Sequence, residues 1–207
     1  MTTLAFYQKL TGQSRITTRA AAQLAGVSVP AASMALGRLA AEGMSTPLKK
    51  GSWMIGAAAA KPGALVTAAA DPYLAYLSGW SALRLHGRIQ QIPQTQFAMT
   101  LGRPGEFDMP GGRIALHHIT PRLFGGYAHD VRVDGFVASA EKALFDLAYL
   151  TAMNRSRVSG SLPETDLTGL RWKEVQTWLR RIPRPKVRAA VEQALHVIRE
   201  QHTGPVD

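Results

Sequence analysis

The chain has 207 residues, 46% of them hydrophobic and 18% charged, with a net charge of +10. That length suits one or two domains with a real core, and the balance of apolar and charged residues excludes an intrinsically disordered chain. There is no cysteine, which excludes disulfides and thiolate zinc sites. No apolar run approaches the ~20 residues that a spanning helix needs. The opening residues Met1-Thr2-Thr3-Leu4 carry no basic region leading into an apolar one. The expectation is a cytoplasmic protein with no membrane partner.

The distribution of charge says more than its sum. Residues 1–60 hold six Lys/Arg (Lys9, Arg15, Arg19, Arg38, Lys49, Lys50) against Glu42 alone. Residues 61–150 hold eight basic and seven acidic groups, and residues 151–207 ten and six. The positive charge therefore lies toward both ends of the chain. Such surface attracts phosphate through Coulomb steering and counterion release.

In chain order, residues 3–10 read as a first, supporting helix. Residues 17–25 read as a short helix with a threonine cap, ended by Gly26 in the left-handed conformation. Ser28 caps a further helix with Pro30 in its first turn, running to about Glu42 and stopping at Gly43. Ala32, Leu36 and Leu39 share one face of it, which is expected to pack on Ala21, Leu24 and Val27. Residues 44–56 read as two short strands around the turn Lys49-Lys50-Gly51-Ser52. Helix, helix, tight turn, helix and basic hairpin together make a winged helix-turn-helix.

That motif binds double-stranded DNA by laying its second helix in the major groove. The residues opposite the buried face are Val29, Ala31, Ser33, Met34, Gly37 and Arg38. Ser33 and Arg38 can make polar contacts to bases, and Val29, Ala31 and Met34 can touch thymine methyls. Thr17, Thr18, Arg19 and Ser28 lie at helix N-termini, which suit phosphate oxygens. Lys49 and Lys50 would reach the backbone or the minor groove from the wing, and Ser52 is the further DNA-binding candidate there. A motif of this kind commonly occupies inverted half-sites, so the expected partner is an operator, with inverted repeats as one arrangement.

Residues 57–63, Ala-rich and then Lys-Pro-Gly, read as a domain boundary. Asp71-Pro72 is expected to open a helix over residues 72–86. Residues 96–100 and 113–119 read as strands separated by a Gly/Pro loop, with one or two more within 131–138. Ser139 caps a helix over 140–150 whose apolar face is Ala143, Leu144, Leu147 and Leu150. Residues 158–168 are polar and turn-rich. Residues 171–182 and 186–201 form two helices around Pro183-Arg184-Pro185. The fold class expected is α+β: a winged helix-turn-helix in residues 1–60, then a mixed α/β domain in 61–207 with a helical hairpin at about 170–201.

Two runs in this second part, Tyr76-Leu77-Ser78-Gly79-Trp80-Ser81-Ala82-Leu83-Arg84-Leu85-His86-Gly87 and Val137-Ala138-Ser139-Ala140-Glu141-Lys142-Ala143-Leu144-Phe145-Asp146-Leu147, carry a resemblance. With the strand that follows the first, they resemble the core of the AbiEi-type antitoxins, the transcriptional-regulator half of abortive-infection (type IV) toxin–antitoxin systems. The N-terminal winged helix is similar to the one that family carries in the same place, and the resemblance spans residues 3–150. It implies repression of the protein's own operon and neutralisation of a cognate toxin of the nucleotidyltransferase class. The alternative is a stand-alone winged-helix regulator whose middle domain senses a ligand or dimerises. A sizeable apolar pocket there would favour that alternative.

Catalytic, metal and cofactor sites are not expected. His117 and His118 are adjacent on a strand and point to opposite faces, and His86, His129, His196 and His202 show no ligand spacing. Glu141 and Asp146 are not on one helical face. Glu141 suits the helix dipole as a first-turn acid, and Asp146 is open to an arginine such as Arg84. Ser78 and Ser81 lack a nucleophile elbow, and the Gly-rich stretch 102–112 is neither a Walker loop nor a dinucleotide fingerprint. A nucleic-acid-processing enzyme therefore lacks its constellation. Trp53, Trp80, Trp172 and Trp178 read as packing residues. Arg180, Arg181, Arg184, Lys186 and Arg188 form a basic cluster open to phosphate, to an acidic partner surface, or to water alone.

Overall fold

In a computed structural model, residues 2–13, 15–56, 61–109, 112–153 and 165–202 are described. The chain divides into two compact units, Met1–Lys61 with Met109–Gly111, and Pro62–Asp108 with Gly112–Asp207. Together they are mixed α+β, with eight α-helices and two sheets among the described residues. Among those residues no single helix is long and apolar enough to cross a membrane.

The first unit runs α1 (Thr3–Leu10), β1 (Arg15–Thr17), α2 (Thr18–Ala25), α3 (Val29–Ala41), β2 (Ser45–Lys49) and β3 (Ser52–Ile55). Each helix starts on a hydroxyl that accepts an otherwise orphaned N–H. Thr2 takes it from Ala5, Thr17 from Ala20 and Ser28 from Ala31. Gly26, at φ 69°, ends α2, and α2 and α3 are bent by 103°. The sheet order is β1-β3-β2, antiparallel throughout. Phe6, Leu10, Ile16, Ala21, Ala22, Ala25, Ala32, Leu36 and Leu39 form the core.

Two expectations need correction here. Leu24 is 51% exposed and does not belong to the core. At ~100° per residue it falls about a quarter-turn off the inward centre set by Ala21, Ala22 and Ala25. Those alanines turn the small face of α2 inward. Strand β1 leaves no signal in the sequence, because three residues show no alternation and it exists by pairing with β3.

The second unit contains α4 (Pro62–Ala70), β4 (Ala75–Leu77), α5 (Gly79–Leu85), β5 (Thr95–Thr100), β6 (Gly105–Met109) and β7 (Gly112–His118). A short 3-10 turn (Pro121–Leu123) precedes β8 (Tyr127–Asp130), β9 (Gly135–Ala138), α6 (Ala140–Ala152), α7 (Trp172–Arg180) and α8 (Pro185–His202). The sheet order is β6-β7-β5-β4-β9-β8. The β5–β7 and β4–β9 pairs are parallel, and β4–β5 and β8–β9 are antiparallel.

The expected helix over 72–86 is absent. After a cis Asp71–Pro72 peptide the chain enters β4, and only Gly79–Leu85 is helical. Ala75, Tyr76 and Leu77 are buried between two partner strands, and this pairing overrides their local preference. Pro62 starts α4 instead of marking a break. The loop between the two expected strands holds β6.

Helix α6 also differs from its expected one-sided pattern. Every residue from Ala140 to Leu150 is buried, Glu141, Lys142 and Asp146 included. The expected boundary over 57–60 and most of the polar stretch 158–168 lie outside the described residues.

Candidate functional site

The exposed face of α3 carries the residues proposed for base contact. Val29, Ser33, Met34, Gly37 and Arg38 are solvent-exposed and Ala31 is half-buried, while Ala32, Leu36 and Leu39 point into the core. Met34 is 62% exposed, a large apolar side chain left in solvent. No acidic residue occurs within α3, and the first beyond it is Glu42. No carboxylate interrupts this face.

Beside it, the N-terminus of α2 and the β2–β3 turn are fastened together. The Thr18 N–H donates to Gly51 O at 3.0 Å, and Trp53 Nε1–H donates to Thr18 Oγ1 at 2.9 Å. Arg19, in the first turn of α2, and Lys50, in the turn, are both exposed. The Thr18 and Ala20 N–H groups are thereby taken, by Gly51 O and Thr17 Oγ1, so it is the two exposed cations beside this junction that suit an anion.

The remaining assigned residues divide. Thr17 and Ser28 are exposed, with their hydroxyls already accepting capping bonds and each still able to donate once. Thr18 is half-buried and committed to Trp53. Ser52 is a correction: it is only 6% exposed, because it is the β3 residue paired with both Thr17 and Lys49. The Lys49 side chain lies outside the described residues. Among the other cations, Lys9 donates to the C-terminal carbonyl of α2 at Ala25 (3.0 Å), a helix-capping role.

In the second unit, Arg180, Arg184 and Lys186 are exposed near the α7–α8 corner. Arg188 is half-buried and donates to Ile182 O through Nε and Nη2, so it closes the α7 terminus. Arg181 lies 4.0 Å over the Trp178 ring. Trp172 and Trp178 are half-buried packing residues, as expected, but each also carries an arginine on its ring.

Asp146 finds its cation in Lys142, one helical turn away, and not in Arg84. Its other oxygen accepts from Ser78 Oγ at 2.7 Å and Tyr76 Oη at 3.1 Å. Burial pushes the Asp146 carboxyl up and the Lys142 ammonium down, and their mutual attraction opposes both shifts. Burial, with Asp146 adding to it, pushes the Tyr76 phenol far up. Lys142, Ser78 and Asp146 are closed to solvent, so this cluster fastens α6 to β4 and to the start of α5. Its signal was the Lys-x-x-x-Asp spacing within the second motif run. Glu141 is likewise buried, and Arg171 donates to it at 3.0 Å.

Next to this cluster lies an open cleft of about 590 Å³. Tyr127, Val137, Ala138 and Trp178 supply its apolar and aromatic lining, and His86, Arg171, Glu174 and Arg181 its polar groups. Sequence reading missed it, since its residues come from β8, β9 and α7 and from the residues that cap α5 and α6, His86 and Ser139. Among the described residues no group of three or more His, Asp or Glu has a metal-binding arrangement.

No protein-family model matches the chain, and no curated protein matches it.

Proposed function

We propose that the Met1–Lys61 unit is a winged helix-turn-helix that binds double-stranded DNA, and that the protein represses transcription of its own operon. The observation that carries this reading is the acid-free, exposed face of α3, set at 103° to α2. That angle falls in the range for helix-turn-helix motifs. In this reading Ser33 and Arg38 read bases while Val29, Ala31 and Met34 touch thymine methyls. Arg19 and the β2–β3 turn hold the phosphate backbone. Two copies on inverted half-sites ~34 Å or a multiple apart fit the usual use of the motif.

The antitoxin role rests on the resemblance over residues 3–150 and assigns a nucleotidyltransferase-type toxin as partner. Co-expression with a nucleotidyltransferase encoded beside it restores growth if this role holds, and leaves the toxin active if it does not.

The DNA reading is tested by paired variants in a titration at several salt concentrations. Arg19→Ala with Lys50→Ala weakens binding to all sequences and lowers the salt slope by about 1 per lost phosphate contact. Arg38→Ala or Ser33→Ala shifts the preference among sites. An unchanged salt slope for the first variant, with equal losses on specific and random DNA for the others, contradicts the assignment.

A further inference from the structure

We propose that the cleft bordered by α6 and α7 binds a planar aromatic monocarboxylate, its carboxylate on Arg181 and its ring against the wall of Tyr127 and Trp178. The cavity, about 590 Å³, is within the range that takes small organic ligands. Its aromatic wall is already ordered. Tyr127 stacks on Tyr76 at 4.7 Å and meets Phe124 and Phe136 edge-on at 5.4 and 5.2 Å. Trp178 rests on Gly125-Gly126, where a Cβ on Gly126 would come within 2.7 Å of the indole. A wall fixed in this way costs a ligand little ordering entropy.

Hydrogen-bonding geometry selects the ligand class. Arg171 is engaged by two carboxylates, Glu141 at 3.0 Å and Glu174 at 2.7 Å, so these three groups and Arg181 together carry no net charge. Arg181 is held over Trp178 but has no carboxylate or hydrogen-bond acceptor for its guanidinium among the described residues. The cleft is charge-balanced, and within it Arg181 offers one unpaired fork of donors, matched to one carboxylate. A phosphate dianion would need a second cation, and Arg171 is already taken. Ser139, the N-cap of α6, also lines the cleft, so the positive end of that helix adds to the preference for an anion. This inference gives a ligand class to the alternative in which the second unit is a sensor. It does not depend on DNA binding.

Isothermal titration of the full chain without DNA tests it, with 2-naphthoate as the probe and 2-naphthylmethanol as its neutral counterpart. The expected result is one site per chain for 2-naphthoate, with the alcohol at least about ten-fold weaker, the size of a lost charge-assisted hydrogen bond. Arg181→Gln, at an exposed position, keeps the fold by circular dichroism and lowers 2-naphthoate affinity to that of the alcohol. Absence of 2-naphthoate binding, equal binding of the alcohol, or full binding by the Arg181→Gln protein overturns the proposal. Each of these failures leaves the DNA reading standing, and loss of operator binding leaves this one standing.

Discussion

Lys142 and Asp146 put opposite charges one turn apart in a helix that is buried on every side. Removing one partner strands the other charge in a dry environment. Lys142→Met is expected to lower the unfolding free energy by about 3–5 kcal/mol in urea denaturation. Adding Asp146→Asn to it should cost less than the sum of the two single variants, because the stranded charge is then gone. Glu141 gives a pH-dependent counterpart. Burial pushes its carboxyl up, but the Arg171 donors outweigh this and leave it below the ordinary 4.5. A depressed carboxyl contributes stability that is present above 4.5 and lost as pH falls through its lower folded value. Glu141→Gln should therefore flatten the acid side of the stability–pH curve. The change should stay under about 1 kcal/mol, because Arg171 is largely exposed and water screens the pair.

Among the elements, α4 is set by a backbone contact. Gly63 N–H donates to Val133 O at 2.9 Å, and a Cβ at Gly63 would come within 2.7 Å of the Gly135 backbone. Backbone cannot swing aside as a long side chain can, so Gly63→Ala is expected to cost about 1–3 kcal/mol in the same denaturation experiment. Gly63 looked like a helix breaker because its reason for being glycine lies some seventy residues along the chain. The same distinction separates what could be read from the sequence from what could not. Helices α2, α3 and α6 were legible because Thr17, Ser28 and Ser139 act on N–H groups three residues away. Strands β1, β4 and β6 are three to five residues long and exist through pairing with distant segments. Helix α6 showed an apolar face in its sequence, but its full burial depends on β9, α5, α7 and α8 packing around it.

At the scale of the whole molecule, the first unit brings exposed Arg19, Arg38 and Lys50 onto the elements expected to carry them. The spacing of Ala32, Leu36 and Leu39 fixed which face of α3 remains outside. Ser52 reads as a turn residue in the sequence but is a paired strand residue in the fold, and the two look alike without the partner strands. The cleft of the second unit was illegible for a different reason: its lining comes from β8, β9, α7 and the caps of two further helices, spread over almost a hundred residues.

Specific DNA recognition by α3 and the adjoining hairpin is the property on which the proposed function stands. The most direct measurement is a gel-shift titration of the full chain on its own upstream DNA, with scrambled competitor, at two salt concentrations. The expected result is a tight complex that survives the competitor and weakens steeply with salt. A complex that scrambled DNA removes equally well, or no complex at all, would contradict it.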